Sequence, residues 1–112
     1  MSVNPLLKGT VQTIILKLLE DNTRMYGYEI TQKVKEITAG EIVLTEGALY
    51  PALHKLEGEG FLQTSTEIVD GRARKYYSLT EQGGEQVTSK LDEARAFVEQ
   101  LQNLLTLKPS ME

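Results

Sequence analysis

The sequence predicts a mainly α-helical chain with a small β-ribbon and a long C-terminal helix. Three observations carry that expectation. Apolar residues recur at helical spacing in three segments before residue 60. An Asp70-Gly71 pair, a strong hairpin signal, separates two strand-prone runs. An apolar heptad then runs through Val87, Leu91, Ala94, Val98, Leu101 and Leu105.

Each element has its own justification. Asn4-Pro5 reads as a helix start, with Asn as the cap and Pro at the first helical position. Leu7, Val11, Ile14, Ile15, Leu18 and Leu19 follow on one broad face, so one helix is expected over 5–20. Tyr26-Gly27-Tyr28 opens a second, with Ile30, Val34 and Ile37 aligned, and Ala39-Gly40 stops it. Ile42-Val43-Leu44 reads as a short, extended apolar bridge. Thr45 caps a third helix whose inner face is Leu49, Ala52, Leu53 and Leu56, ended by Gly58 and Gly60. Pro51 inside it removes one bond to Gly47, and local strain is expected there. Strands are expected over 61–69 and 72–79, the second from Tyr76, Tyr77 and Leu79. Thr80, followed by Glu81 and Gln82, caps the last helix. Three helices followed by a two-stranded ribbon is the winged helix-turn-helix arrangement. The expected organisation is a DNA-binding unit over 1–80, a dimerisation helix over 81–107 and a disordered tail over 108–112.

Composition narrows the function. A chain of 112 residues, 40% hydrophobic and 25% charged, suits one ordinary globular domain. No apolar run has the length of a membrane span and no signal peptide is visible, which fits a cytoplasmic location. The absence of cysteine excludes disulfides and thiolate metal sites. His54 is the only histidine, Glu57 and Glu59 flank a turn, and no Gly-rich phosphate cradle precedes a helix. Neither an enzyme nor a metal or cofactor is therefore expected.

The net charge of −4 argues against a nucleic-acid partner if taken as a sum. Its distribution argues otherwise. From 81 to 107 the chain carries Glu81, Glu85, Asp92, Glu93 and Glu99 against Lys90 and Arg95, whereas Arg72, Arg74 and Lys75 cluster beside the hairpin turn. A basic knot of that kind can meet phosphates on a chain of negative total charge. On the third helix Glu46, Gly47, Tyr50, Pro51, His54 and Lys55 fall off the buried face, where Tyr, His and Lys can reach phosphates or base edges. Alone, the helix serves equally as a polar surface and the ribbon tip reads better as solvated charge. Together they favour recognition. Strand alternation places Arg72 and Arg74 on one side of the ribbon and Lys75 on the other.

Gly47 to Glu57 (Gly-Ala-Leu-Tyr-Pro-Ala-Leu-His-Lys-Leu-Glu), Gly60-Phe61-Leu62 and Gly71 to Thr80 (Gly-Arg-Ala-Arg-Lys-Tyr-Tyr-Ser-Leu-Thr) closely resemble the signature of the PadR family. Tyr26-Gly27-Tyr28-Glu29-Ile30 is similar to the start of that family's second helix, and the short terminal helix resembles its smaller subfamily. The resemblance implies a repressor that binds double-stranded operator DNA as a homodimer joined through the terminal helix, with help from the first. It implies recognition positions Gly47, Tyr50, Pro51, His54 and Lys55, wing positions Gly71, Arg72, Arg74 and Lys75, and weaker candidates Tyr28, Thr45 and Glu46. Val87, Leu91, Ala94, Phe97, Val98, Leu101, Leu104 and Leu105 are the expected dimer contact. Some relatives hold planar aromatic drugs on a tryptophan of the terminal helix. Here there is no tryptophan and Phe97 is that helix's only aromatic, so a small hydrophobic effector would have Phe97 alone to stack on, and its reading as dimer-core filler is the stronger. The rival is a winged-helix module that binds proteins and never touches DNA.

Overall fold

The computed structural model describes residues 5–107; the expected cap Asn4 and the tail over 108–112 lie outside the described residues. The order is α1 (Pro5–Lys8), α2 (Val11–Asp21), β1 (Met25–Tyr26), α3 (Gly27–Ile37), α4 (Glu46–Gly58), β2 (Leu62–Val69), β3 (Arg72–Leu79) and α5 (Glu81–Leu105). Mostly helical, with one small antiparallel sheet, it is the fold class the sequence predicts.

Two elements depart from expectation. The single helix over 5–20 is two helices, broken at Gly9-Thr10. Thr10 donates both its backbone N–H (2.8 Å) and its hydroxyl (2.9 Å) to the Leu7 carbonyl, which closes α1 after one turn. Leu7 and Val11 remain buried on either side of the break, so the apolar spacing carried no trace of it. The second departure is β1, which joins the hairpin as a third strand in the order β1-β3-β2. Met25 faces Tyr77 and Tyr26 faces Tyr76. Ile42-Val43-Leu44 forms no strand. Leu44 is buried, Val43 is exposed, and the Ile42 N–H donates to the Thr38 hydroxyl at 3.0 Å.

The core lies between α2, α3, α4, the inner face of the sheet and the first half of α5. Ile15, Met25, Ile30, Leu49, Leu53, Leu56 and Tyr77 are fully buried in it. α4 runs unbroken through Pro51. Gly47, whose carbonyl loses its partner, is exposed, so water can satisfy it. The hairpin turns on Asp70 (φ 51°) and Gly71 (φ 78°), the paired positive φ values that a two-residue type I′ turn requires.

α5 is tied to the wing's base. Thr80 accepts from the Gly83 N–H at 2.9 Å and donates its hydroxyl to the Gly60 carbonyl at 2.6 Å. Gly83 packs directly on the backbone of Phe61, and a Cβ there would strike the Phe61 carbonyl. Gly83, Val87 and Leu91 are buried on this side of α5.

Candidate nucleic-acid interface

The wing is longer than the core beneath it. Leu62, Tyr77 and Leu79 anchor its base, while Ile68 near the tip is 72% exposed. The overhanging tip forms one wall of a groove of about 650 Å3. Its other wall is the start of α3 and Tyr50 of α4. Tyr28, Tyr50, Arg72, Arg74 and Lys75 all line this groove, with Tyr26 and Gly27 at its floor. The strand register agrees with alternation: Arg72 and Arg74 pair with Val69 and Glu67, and Lys75 pairs with Thr66 on the opposite face. All three cations still reach one groove because the tip projects past the core.

Tyr50 is placed by a glycine. Gly27 at the first turn of α3 lies against the Tyr50 hydroxyl, and an added Cβ would also fall 2.8 Å from Cζ and 3.2 Å from Cε1. Only glycine lets the phenol lie across the start of α3. Burial of the ring, reinforced by Glu46, pushes the Tyr50 phenol above its ordinary value. The hydroxyl therefore stays protonated at neutral pH and is available as a donor to an anion.

Arg74 is held rather than waving. Its guanidinium lies 4.2 Å above the Tyr26 ring, and the Tyr76 hydroxyl and the Tyr26 ring both favour its charged form. Lys75 Nζ sits 5.5 Å from the Tyr77 ring. Sequence reasoning missed the part played by Tyr26, which lines the groove and carries Arg74, and by Tyr76, which stands beside both. Their signal lies in the β1–β3 pairing, and a two-residue strand is too short to show a period.

The remaining candidates are placed differently. Gly47, Pro51 and Lys55 line a separate hollow of about 320 Å3 on the other side of α4, shared with Lys8 and Gln12. His54 and Glu46 are exposed on α4, and Gly71 is exposed at the turn. Thr45 is committed to its cap, accepting from the Ala48 N–H at 3.2 Å. α4 therefore presents an exposed ridge, with Tyr50 facing the wing and Lys55 facing α1 and α2.

The heptad of α5 divides in two. Val87 and Leu91, expected at a dimer contact, are covered by their own chain, and Ala94 is half-buried. Phe97 (62%), Val98 (59%), Leu101, Leu104 (69%) and Leu105 (76%) are exposed. Ala94 and Val98 also line an apolar groove of about 670 Å3 with Ile14, Val34, Ile37 and Ile42. Among the described residues there is no cluster of His, Cys, Asp or Glu that could hold a metal ion, and no helix is long and apolar enough to cross a membrane.

Comparison with known proteins agrees with this fold. The PadR-like family of transcriptional regulators matches residues 15–89. A transcriptional regulator of Mycobacterium tuberculosis is 35% identical over 94 residues, covering 84% of this chain and 80% of its own. A solved transcriptional regulator from Clostridium thermocellum superposes with a TM-score of 0.80 at 29% identity, covering 93% of this chain and all (100%) of its own. A PadR-like transcriptional regulator from Bacillus cereus does so with a TM-score of 0.73 at 27% identity, covering 94% of this chain and 100% of its own. With the family matched across α2 to the first half of α5, where the groove and its tyrosines lie, the chain belongs to the PadR-like family of transcriptional regulators.

Proposed function

We propose that this chain is a cytoplasmic, homodimeric regulator that represses by occupying a roughly palindromic operator. The carrying observation is the shared groove: Tyr50 of α4 and the cations Arg72, Arg74 and Lys75 of the wing line one cleft. In this reading the exposed ridge of α4 enters the major groove. The wing lies along the flanking backbone, where Arg74 meets a phosphate or the minor groove. Tyr50 donates to a phosphate or a base edge.

Dimerisation rests on the outer half of α5. Phe97, Val98, Leu101, Leu104 and Leu105 form an exposed apolar stripe that a second copy would cover. Two-fold symmetry then presents two α4 helices to grooves about one helical turn, roughly 34–36 Å, apart. A small hydrophobic effector at or beside that contact would act by favouring one angle between the two units, and only through different affinity for the two states.

The test begins with selection of bound duplexes from random DNA at two salt concentrations. Arg74→Ala should weaken all duplexes and lower the salt slope by about two for a dimer, near 0.9 per lost phosphate contact. Tyr50→Ala should weaken the selected site more than random DNA. Failure of the parent chain to enrich any duplex would instead favour a protein-binding winged helix. An operator affinity that no small molecule alters would remove the effector.

A further inference from the structure

We infer that Arg24 and Glu67 are positioning residues that set the angle of the wing against Tyr50, without touching DNA themselves. The inference rests on the DNA-binding reading above. It starts from a mechanical question. A two-stranded hairpin is marginal on its own, and the tip here has no core under it. The wing must nonetheless hold its cations at a fixed place relative to α4.

The outer face of the sheet answers it. Arg24, just before β1, donates to Glu67 of β2 through both guanidinium arms, Nη1 to Oε1 at 2.7 Å and Nη2 to Oε2 at 3.1 Å. To get there it crosses β3, with Cζ 3.9 Å above the Tyr76 ring. Tyr76 meets Tyr26 edge-on, ring centres 5.6 Å apart at 85°. Tyr26 carries Arg74 on its face at 4.2 Å, and Arg74 pairs in register with Glu67. The five side chains form one run of contacts across all three strands, in the order Glu67, Arg24, Tyr76, Tyr26 and Arg74.

This run is bolted to the start of α3. Its members Arg24 and Tyr26 immediately precede Gly27, the residue that seats Tyr50. One short segment, 24–27, therefore holds the wing by one end and the recognition-helix tyrosine by the other. β1 alone could not do this, because it pairs with β3 at only two positions. The bidentate pair extends the hold to β2, four residues nearer the tip than Gln63. Glu67 also withholds Arg24 from phosphate by occupying both of its arms. Exposed pairs add little to global stability, so the fold should survive its loss.

The test uses the full chain and a duplex selected with it from random DNA. Arg24→Ala, Glu67→Ala and the double variant are compared by fluorescence anisotropy across salt, together with amide exchange along 62–79. The expected result is that each single variant weakens the selected duplex by about five- to tenfold, within the range typical of coupling between sites. The double variant is no weaker than either single one, as a shared pair requires. The salt slope stays that of the parent, and amides at 66–74 exchange faster while those of α2 and α5 do not. If Arg24→Ala lowers the salt slope while Glu67→Ala leaves or raises affinity, Arg24 is itself a phosphate contact and the inference is overturned. Unchanged affinity and exchange in all three variants overturn it as well. If the parent binds no duplex, the DNA-binding reading has failed, and unaltered exchange in Arg24→Ala then sinks the anchoring on its own.

Discussion

Gly27→Ala separates binding from folding. The backbone at Gly27 is ordinary helix, so alanine meets no conformational barrier, and exchanging Gly for Ala in a helix gains up to about 1 kcal/mol. The cost falls on Tyr50. A new Cβ would lie 2.8 Å from Cζ and 3.2 Å from Cε1, where a relaxed carbon contact needs roughly 3.5–4.0 Å. The ring must retreat by about 1 Å, and it can, because Tyr50 is already 36% exposed and swings on a free side chain. Stability should therefore change by less than about 1 kcal/mol. The hydroxyl, however, leaves its place at the head of the groove. A hydrogen bond to a charged acceptor contributes roughly 1.5–3 kcal/mol, so each half-site should lose about tenfold or more in affinity. Anisotropy with the selected duplex and a thermal melt together read both quantities. Gly83→Ala is the control that proves the logic. There the obstructing atom is the Phe61 backbone carbonyl, which cannot swing aside, so overpacking should cost about 1–3 kcal/mol and lower the melting point by at least about 5 °C. Parent-like DNA affinity in Gly27→Ala, or a fully stable Gly83→Ala, would refute the reasoning.

The outer half of α5 gives a second expectation: Leu101→Glu with Leu104→Glu should yield monomers by sedimentation that keep the parent's helical circular dichroism, since both residues are exposed. Leu91→Ala is the wrong probe for assembly, because Leu91 is buried and its loss should cost about 2–5 kcal/mol of folding stability in chemical denaturation. Thr80→Ala removes a donor to Gly60 and an acceptor for Gly83 together, and about 1–2 kcal/mol should be lost in the same assay. The Glu67 carboxyl is held below its ordinary range chiefly by its hydrogen bonds from Arg24, so the pair's contribution is present at neutral and mildly acidic pH and is lost as pH falls through that lowered value. Amide exchange at 66–74, corrected for its intrinsic pH dependence, should be flat from about pH 8 to about pH 5 and rise only below the ordinary glutamate range.

Local chemistry made much of this molecule legible. Thr45 and Thr80 cap the helices they precede, and Asp70-Gly71 turns the hairpin, because each of those roles is fixed by the residue and its immediate neighbours. Strand alternation alone puts Arg72 and Arg74 on one face and Lys75 on the other, as the register does. What stayed hidden is what depends on distant partners. The break at Gly9-Thr10 leaves Leu7 and Val11 on one face, so periodicity passed over it. β1 exists only because β3 offers it an edge. Gly83 is essential because Phe61 passes close by, which no window of sequence can show. The α5 heptad is the clearest case. The pair Val87 and Leu91 and the pair Leu101 and Leu105 are chemically alike and share a four-residue spacing, but the first pair faces its own core and the second faces outward. Periodicity says which face is apolar, and the length of the core decides where that face runs out of intramolecular cover.

Charge and anchoring point to the same division of labour. A chain of net charge −4 must approach a polyanion with the correct end first. The acids of α5, from Glu81 to Glu99, lie along the helix that leads away from the wing's base, while Arg72, Arg74 and Lys75 crowd the far tip. In the proposed reading, repulsion from α5 disfavours poses that lead with that helix, and attraction at the tip favours those that lead with the wing. Such steering would be wasted on a loose wing, since a mobile cation contributes affinity but no register. In the inference drawn above, the outer-face run of contacts removes that freedom at little cost in global stability, because it uses exposed and half-buried side chains outside the core. In the proposed reading, segment 24–27 is thus where orientation becomes specificity: it fixes the cations that would find the backbone against the tyrosine that would read what lies beside it.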